Sequence, residues 1–117
     1  MEKHPPLQRL KQKLTKENLW LYILSLLRER EMYGYEIRKY IKERFGFSSA
    51  VVTAYVVLYK LQVEGYVETK WQKSPIGRPD RKYYSITEKG IELLNMAKKY
   101  LAELFEKLFK EKISVQD

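Results

Sequence analysis

Cysteine is absent from this 117-residue chain. That removes disulfide scaffolds, thiol nucleophiles and cysteine-ligated zinc or iron–sulfur sites. Histidine occurs once, as His4 beside Pro5 and Pro6, which leaves no histidine-based acid–base pair or metal site. Aspartate is confined to Asp80 and Asp117, and the glutamates are spread among lysines. No glycine-rich phosphate loop and no nucleophile–base set can be named. The expectation is a protein that is not an enzyme and needs no metal, nucleotide or other cofactor. No apolar run reaches the ~18 residues of a membrane span. The first residues carry charge but no apolar core with a small-residue cleavage site, so no secretory signal is expected and the cytoplasm is the expected location.

Positive charge is plentiful. There are 23 Lys plus Arg against 15 Asp plus Glu, a formal net charge of +8. In a small domain this favours a polyanionic partner, nucleic acid first and a membrane surface second. With 44% hydrophobic and 32% charged residues the chain reads as one globular domain with room for an added arm or helix.

Residues 1–14 are polar and basic, with Leu7, Leu10 and Leu14 at helical spacing. They read as a basic arm or a short amphipathic helix. Thr15 is a candidate N-cap for a first strong helix striped by Leu19, Ile23, Leu26 and Leu27, ended by the charged cluster 28–31. Ile37, Ile41 and Phe45 mark a second helix from about Gly34, with Gly46 placed to stop it in the left-handed conformation. Ser48 and Ser49 offer an N-cap for a third helix over about 50–64. Its core stripe is Val51, Ala54 or Tyr55, Leu58 and Leu61. Residues 66–73 and 81–86 alternate as strands about a turn-rich loop, which predicts an antiparallel hairpin. Thr87 caps a final helix to about Lys112, along which Leu94, Ala97, Leu101, Leu104 and Leu108 keep a seam spacing.

Three helices followed by a hairpin is the order of a winged helix-turn-helix, in which the third helix enters the major groove and the hairpin is the wing. The expected fold is mainly α with a small antiparallel hairpin: a winged helix-turn-helix over 15–86 and a long C-terminal dimerisation helix over 87–117. The quoted residues then carry a resemblance. Leu19 to Leu27, Tyr33-Gly34-Tyr35-Glu36-Ile37, the set Thr53, Tyr55, Leu58, Leu61, Glu64 and Gly65, Gly77-Arg78-Pro79 with Arg81, Tyr83 and Tyr84, and Thr87-Glu88-Lys89-Gly90 together resemble the PadR family of transcriptional regulators. The resemblance covers about residues 15–95. Where the family commonly has proline after the third-helix tyrosine, this chain has Val56. The short C-terminal part resembles the branch with a single dimerisation helix. The resemblance implies a homodimeric, DNA-binding repressor, often released by a small-molecule effector.

On helix three the residues outside the core stripe include Thr53 and Val56, suited to a hydroxyl contact and a thymine methyl. Lys60 is the helix's one cation, so phosphate contacts must come from elsewhere. The wing has Lys70, Lys73, Arg78, Arg81 and Lys82 against Asp80. The candidate DNA-binding residues are Tyr35, Ser48, Ser49, Thr53, Tyr55, Val56, Lys60, Lys73, Arg78 and Arg81. The candidate dimer interface is Leu94, Ala97, Leu101, Leu104, Phe105 and Leu108. Trp20, Tyr100, Phe105 and Phe109 are candidates for lining an apolar effector pocket. The expected partners are double-stranded DNA, a second copy of the chain and a small apolar effector, with no membrane. The expected function is sequence-specific repression from a palindromic operator. The alternatives are a nonspecific architectural DNA-binding protein and a protein-interaction winged helix.

Overall fold

The structure is a computed structural model that describes residues 3–113. The outermost residues of the expected arm and of the expected C-terminal segment, 1–2 and 114–117, lie outside the described residues. Among the described residues five α-helices and three strands follow in the order α1 (Pro5–Leu14), α2 (Leu19–Leu27), β1 (Met32–Tyr33), α3 (Gly34–Tyr40), α4 (Val51–Val63), β2 (Val67–Gln72), β3 (Arg81–Ile86) and α5 (Glu88–Phe109).

The residues of α1 form a helix with Pro5 in its first turn, where a missing N–H costs nothing. None of them is buried, and Leu7, Leu10 and Leu14 are all exposed. Its C-terminal end is held instead by polar contacts. Thr15 Oγ1 donates to the Lys11 carbonyl at 2.6 Å, Asn18 Nδ2 to the Lys13 carbonyl at 2.6 Å, and the Tyr22 hydroxyl to the Leu14 carbonyl. Thr15 therefore finishes α1 and does not cap α2, correcting its expected role. A single 3₁₀ turn, Lys16–Asn18, intervenes.

The core is built around α2, whose Leu19, Ile23, Leu24, Leu26 and Leu27 are all buried. Burying a Leu or Ile side chain is worth roughly 1.5–3 kcal/mol, so this helix anchors the domain. Ile37 and Ile41, Ala54, Leu58 and Leu61, Val67, Tyr84 and Leu94 close on it from α3, α4, the sheet and α5. The second helix is regular only to Tyr40. Residues Ile41–Phe45 continue it as a π turn, which ends at Gly46 with φ of 76° as expected. The Phe45 and Phe47 rings meet Tyr22 edge-on at 5.0 and 4.9 Å. Burial pushes the Tyr22 phenol above its ordinary value.

The expected hairpin forms and is antiparallel, with Val67 opposite Ile86, Thr69 opposite Tyr84 and Trp71 opposite Lys82. A strand not expected from the sequence joins it: Met32 and Tyr33 pair with Tyr84 and Tyr83, giving a three-stranded sheet ordered β1-β3-β2.

The motif Thr87-Glu88-Lys89-Gly90 explains how α5 seats on α4. Gly65, at φ of 83°, ends α4 in a left-handed turn. Its amide donates to the Gln62 carbonyl and that of Tyr66 to the Leu61 carbonyl, the Schellman arrangement. The Thr87 hydroxyl donates to the Gly65 carbonyl at 2.7 Å and accepts from the Gly90 amide at 3.1 Å. Lys89 Nζ donates to the Glu64 carbonyl at 2.6 Å. One cap thus starts α5 and satisfies the end of α4.

Candidate nucleic-acid interface

The third helix of the domain, α4, begins at Val51 with Ala50 as N-cap, and no side chain caps it. The expected Ser48/Ser49 cap is corrected. Ser49 instead accepts Arg38 Nη2 on its backbone carbonyl at 3.4 Å. Val51 is also exposed, so the buried stripe is Ala54, Leu58 and Leu61 alone. The opposite face presents an apolar strip: Val52 is 75% exposed, Val56 47%, Tyr59 66% and Val63 67%. Thr53 and Lys60 are exposed beside it. These valines are not covered by the hairpin or by another helix. A β-branched strip left open on a well-packed domain is a feature of binding surfaces, not of solvated ones.

Tyr55 sits at the edge of this face, and its ring approaches Gly34 at the start of α3. The approach is made possible by how α3 begins. The Glu36 carboxylate accepts from the Tyr33 amide at 3.2 Å and from Arg30 Nη2 at 2.9 Å, fixing the first turn. Tyr33 meets Tyr83 edge-on at 5.6 Å, and the Arg81 guanidinium lies 4.5 Å from the Tyr33 ring centroid. The wing and the first turn of α3 are therefore locked through one tyrosine. Burial pushes the Tyr84 phenol above its ordinary value, and the neighbouring Tyr55 adds to the rise.

The wing is braced against α4 by Gln62. Its side-chain amide donates to Thr69 Oγ1 at 3.3 Å, and its carbonyl oxygen accepts from Lys82 Nζ at 3.5 Å. The wing loop closes on itself where the Ser74 amide donates to Asp80 Oδ1 at 3.1 Å. Gly77, at φ of 90°, makes the tip turn that L-residues rarely adopt. Ile76 stands fully exposed at that tip.

Three clefts organise the candidate residues. One of about 600 Å³ brings Tyr35, Ser48 and Ser49 together with Arg38, Lys39, Lys42 and Glu43. Arg38 Nε is buried there with no hydrogen-bond partner. A second, of about 210 Å³, gathers Lys73, Arg78 and Arg81 at the wing. The third, about 470 Å³, runs between α4 and the wing and is lined by Tyr33, Gly34, Tyr55, Trp71, Asp80, Arg81, Lys82 and Tyr84. Every candidate DNA-binding residue thus lies on α4, the wing or the α3 cleft. Arg38, Lys39, Lys42 and Trp71 were not among the candidate residues. The spacing of Lys42 three and four residues after Lys39 and Arg38 made the three cations legible as neighbours on the helix surface, although Lys42 falls in the π turn that follows α3. Trp71 carried no signal, because its strand partner and the cleft it lines come from the fold.

Along α5 the candidate seam residues separate. Leu94 is 6% exposed within the one chain and packs in that chain's own core. Leu101, Leu104 and Leu108 are exposed, and Ala97 and Phe105 are half-buried. Tyr100 and Phe109 are exposed and Trp20 is half-buried, its Nε1 donating to Asn18 Oδ1 at 3.3 Å. Among the described residues no helix is long and apolar enough to cross a membrane.

Comparison with known proteins agrees with this architecture. The chain is similar to a PadR-family regulator from Eggerthella lenta, at 25% identity and a TM-score of 0.78, covering 91% of each chain. It is similar to a PadR-like regulator from Bacillus cereus, at 33% identity and a TM-score of 0.64, covering 86% of this chain and 92% of that one. It is also similar to Bacillus subtilis PadR, solved in complex with operator DNA, at 28% identity and a TM-score of 0.61. There the match covers 85% of this chain and 52% of that one. A comparison with curated proteins gave no match. The family model of the PadR-like transcriptional regulators matches residues 23–96, from the middle of α2 into α5. By that match the chain belongs to the PadR-like family of transcriptional regulators.

Proposed function

We propose that this regulator binds double-stranded DNA as a homodimer, reads a palindromic operator with α4, holds it with the wing, and represses transcription. The observation that carries the reading is the open strip of Val52, Val56 and Tyr59 with Thr53, on a helix braced from behind by a buried leucine face. Such a strip suits thymine methyls and base edges in a major groove, and would be costly as a solvated surface. Tyr35, Ser48, Ser49, Tyr55, Lys60, Lys73, Arg78 and Arg81 surround it with hydroxyls and cations that suit phosphates. The Bacillus subtilis protein solved with operator DNA supports the same partner for this chain.

Self-association is supported by the exposed leucines of α5, Leu101, Leu104 and Leu108, and by those of α1. Two copies would present two α4 helices to two half-sites, which is what a palindrome requires. An apolar effector would bind beside such a seam, where α5 carries Tyr100 and the contacting rings of Phe105 and Phe109, with Trp20 of α2 as a further candidate.

Selection of duplexes from a random library tests the function directly. Recovery of an inverted repeat supports the sequence-reading dimer. Recovery of unrelated duplexes with salt-sensitive binding favours the architectural alternative. No recovery favours the protein-interaction alternative.

A further inference from the structure

Trp71 is 66% exposed, although it shares a sheet face with Val67, Thr69 and Tyr84, which are buried or half-buried. Those neighbours are covered because the base of the wing packs on the body, where Gln62 of α4 holds both Thr69 and Lys82. Trp71 lies one strand repeat further out and lines the same trough as Tyr55 of α4. A large aromatic left in water, sharing a trough with a second aromatic and with Arg81 and Lys82, has the makings of a recognition surface. The one carboxylate there, that of Asp80, is tied to the Ser74 amide.

We propose that this trough holds one sugar–phosphate strand of a DNA duplex, with the Trp71 indole packed on a deoxyribose and Lys82 and Arg81 on the flanking phosphates. The inference rests on the duplex-binding reading above. The geometry of a duplex supplies the reason. If α4 lies in the major groove and the wing reaches the adjacent minor groove, the strand that divides the two grooves must pass between them. That strand alternates apolar sugar with anionic phosphate. The trough offers the matching alternation of aromatic rings and cations. Gln62 sets its width by bonding both strands of the wing to α4, so the site is formed before the strand arrives. A free base or a small uncharged aromatic molecule would use the rings but bring no anion to Arg81 and Lys82. Contacts to sugar and phosphate carry no base information, so Trp71 acts on affinity for every duplex and not on the choice among them.

The test uses the full chain with Trp20→Phe, which leaves Trp71 as the single indole. Fluorescence anisotropy of labelled duplex and Trp71 emission are followed in the same titration. Trp71 emission is expected to change and to saturate together with the anisotropy. Trp71→Ala is expected to weaken binding on the order of tenfold, equally for a selected and a random duplex, as for loss of one aromatic contact. Trp71→Phe should retain most of the affinity, and circular dichroism should show both variants folded, since the ring is not in the core. Trp71 emission that stays constant while anisotropy reports full binding overturns the proposal. So does quenching by thymidine monophosphate alone that matches the quenching by duplex, which would make the trough a small-ligand site. Loss of affinity in Trp71→Ala confined to the selected sequence overturns it as well, because the ring would then be reading bases. If neither readout detects duplex binding by the unmutated chain, the function proposed above fails and this inference with it.

Discussion

The ring of Tyr55 lies against the α-carbon of Gly34. A Cβ built on Gly34 would stand 2.7 Å from Tyr55 Cζ, closer than real Cβ contacts come. Gly34 is helical and needs no special backbone angle, so here glycine is required for the space it leaves. The space belongs to a residue on the face proposed to meet DNA.

Gly34→Ala therefore separates folding from binding. The obstructing atoms are the far end of a side chain that is 45% exposed, so the ring can swing outward. Alanine also gains up to about 1 kcal/mol in helix propensity. The melting temperature is expected to change little, while duplex affinity falls as the Tyr55 hydroxyl leaves its place. A large drop in melting temperature would show that Tyr55 cannot move.

Gly90→Ala is expected to act in the opposite way. Its Cβ would meet the Tyr66 carbonyl and stand 2.7 Å from Ile86 Cγ1. The Tyr66 carbonyl is also held by the Thr87 amide at 3.1 Å, so it cannot yield easily. Overpacking of this kind costs roughly 1–3 kcal/mol, more than the propensity gain. Urea denaturation should show a lower midpoint, with duplex binding intact below the transition.

Thr53→Ala and Val56→Ala test the reading role of α4. Both side chains are exposed, so folding should hold. Loss of a good base contact costs roughly 1–3 kcal/mol at that position. The ratio of operator to random-duplex affinity at fixed salt is expected to fall, with nonspecific affinity nearly unchanged. An unchanged ratio in both variants would take α4 out of the reading role.

Arg78→Ala is expected to weaken all duplexes alike and to flatten the logarithmic salt dependence by about one unit, as for one lost phosphate contact. Equal affinity and slope at low salt would leave Arg78 as an exposed side chain without a partner.

For the seam, Leu101→Glu with Leu104→Glu is expected to yield a folded monomer in sedimentation, because both leucines are exposed in the single chain while Leu94 stays in its core. A dimer that survives both changes would place the interface elsewhere.

The elements whose cues are local could be read along the chain. The leucine stripe of α2 names a buried helix, the alternation about Gly77 names the wing, and Thr87 three residues before Gly90 names the start of α5. Capping, turn chemistry and periodicity act over a few residues and are legible in order. Thr15 and Ser48/Ser49 misled because a hydroxyl has several carbonyls and amides within reach. Tertiary structure chose among them: Thr15 turned back to α1, and the Ser49 backbone met Arg38. Strand β1 had no local signal, since Met32 and Tyr33 are strand only by pairing with Tyr84 and Tyr83 far along the chain. The same holds for the site. On α4 the spacing already set Leu58 and Leu61 apart from Val56, and packing decided the rest: Ala54 and not Tyr55 turns inward, and Val51 stays open. The meeting of Tyr55 with Gly34, and of Trp71 with the trough beside it, belongs to distances between elements, which no spacing along one element encodes.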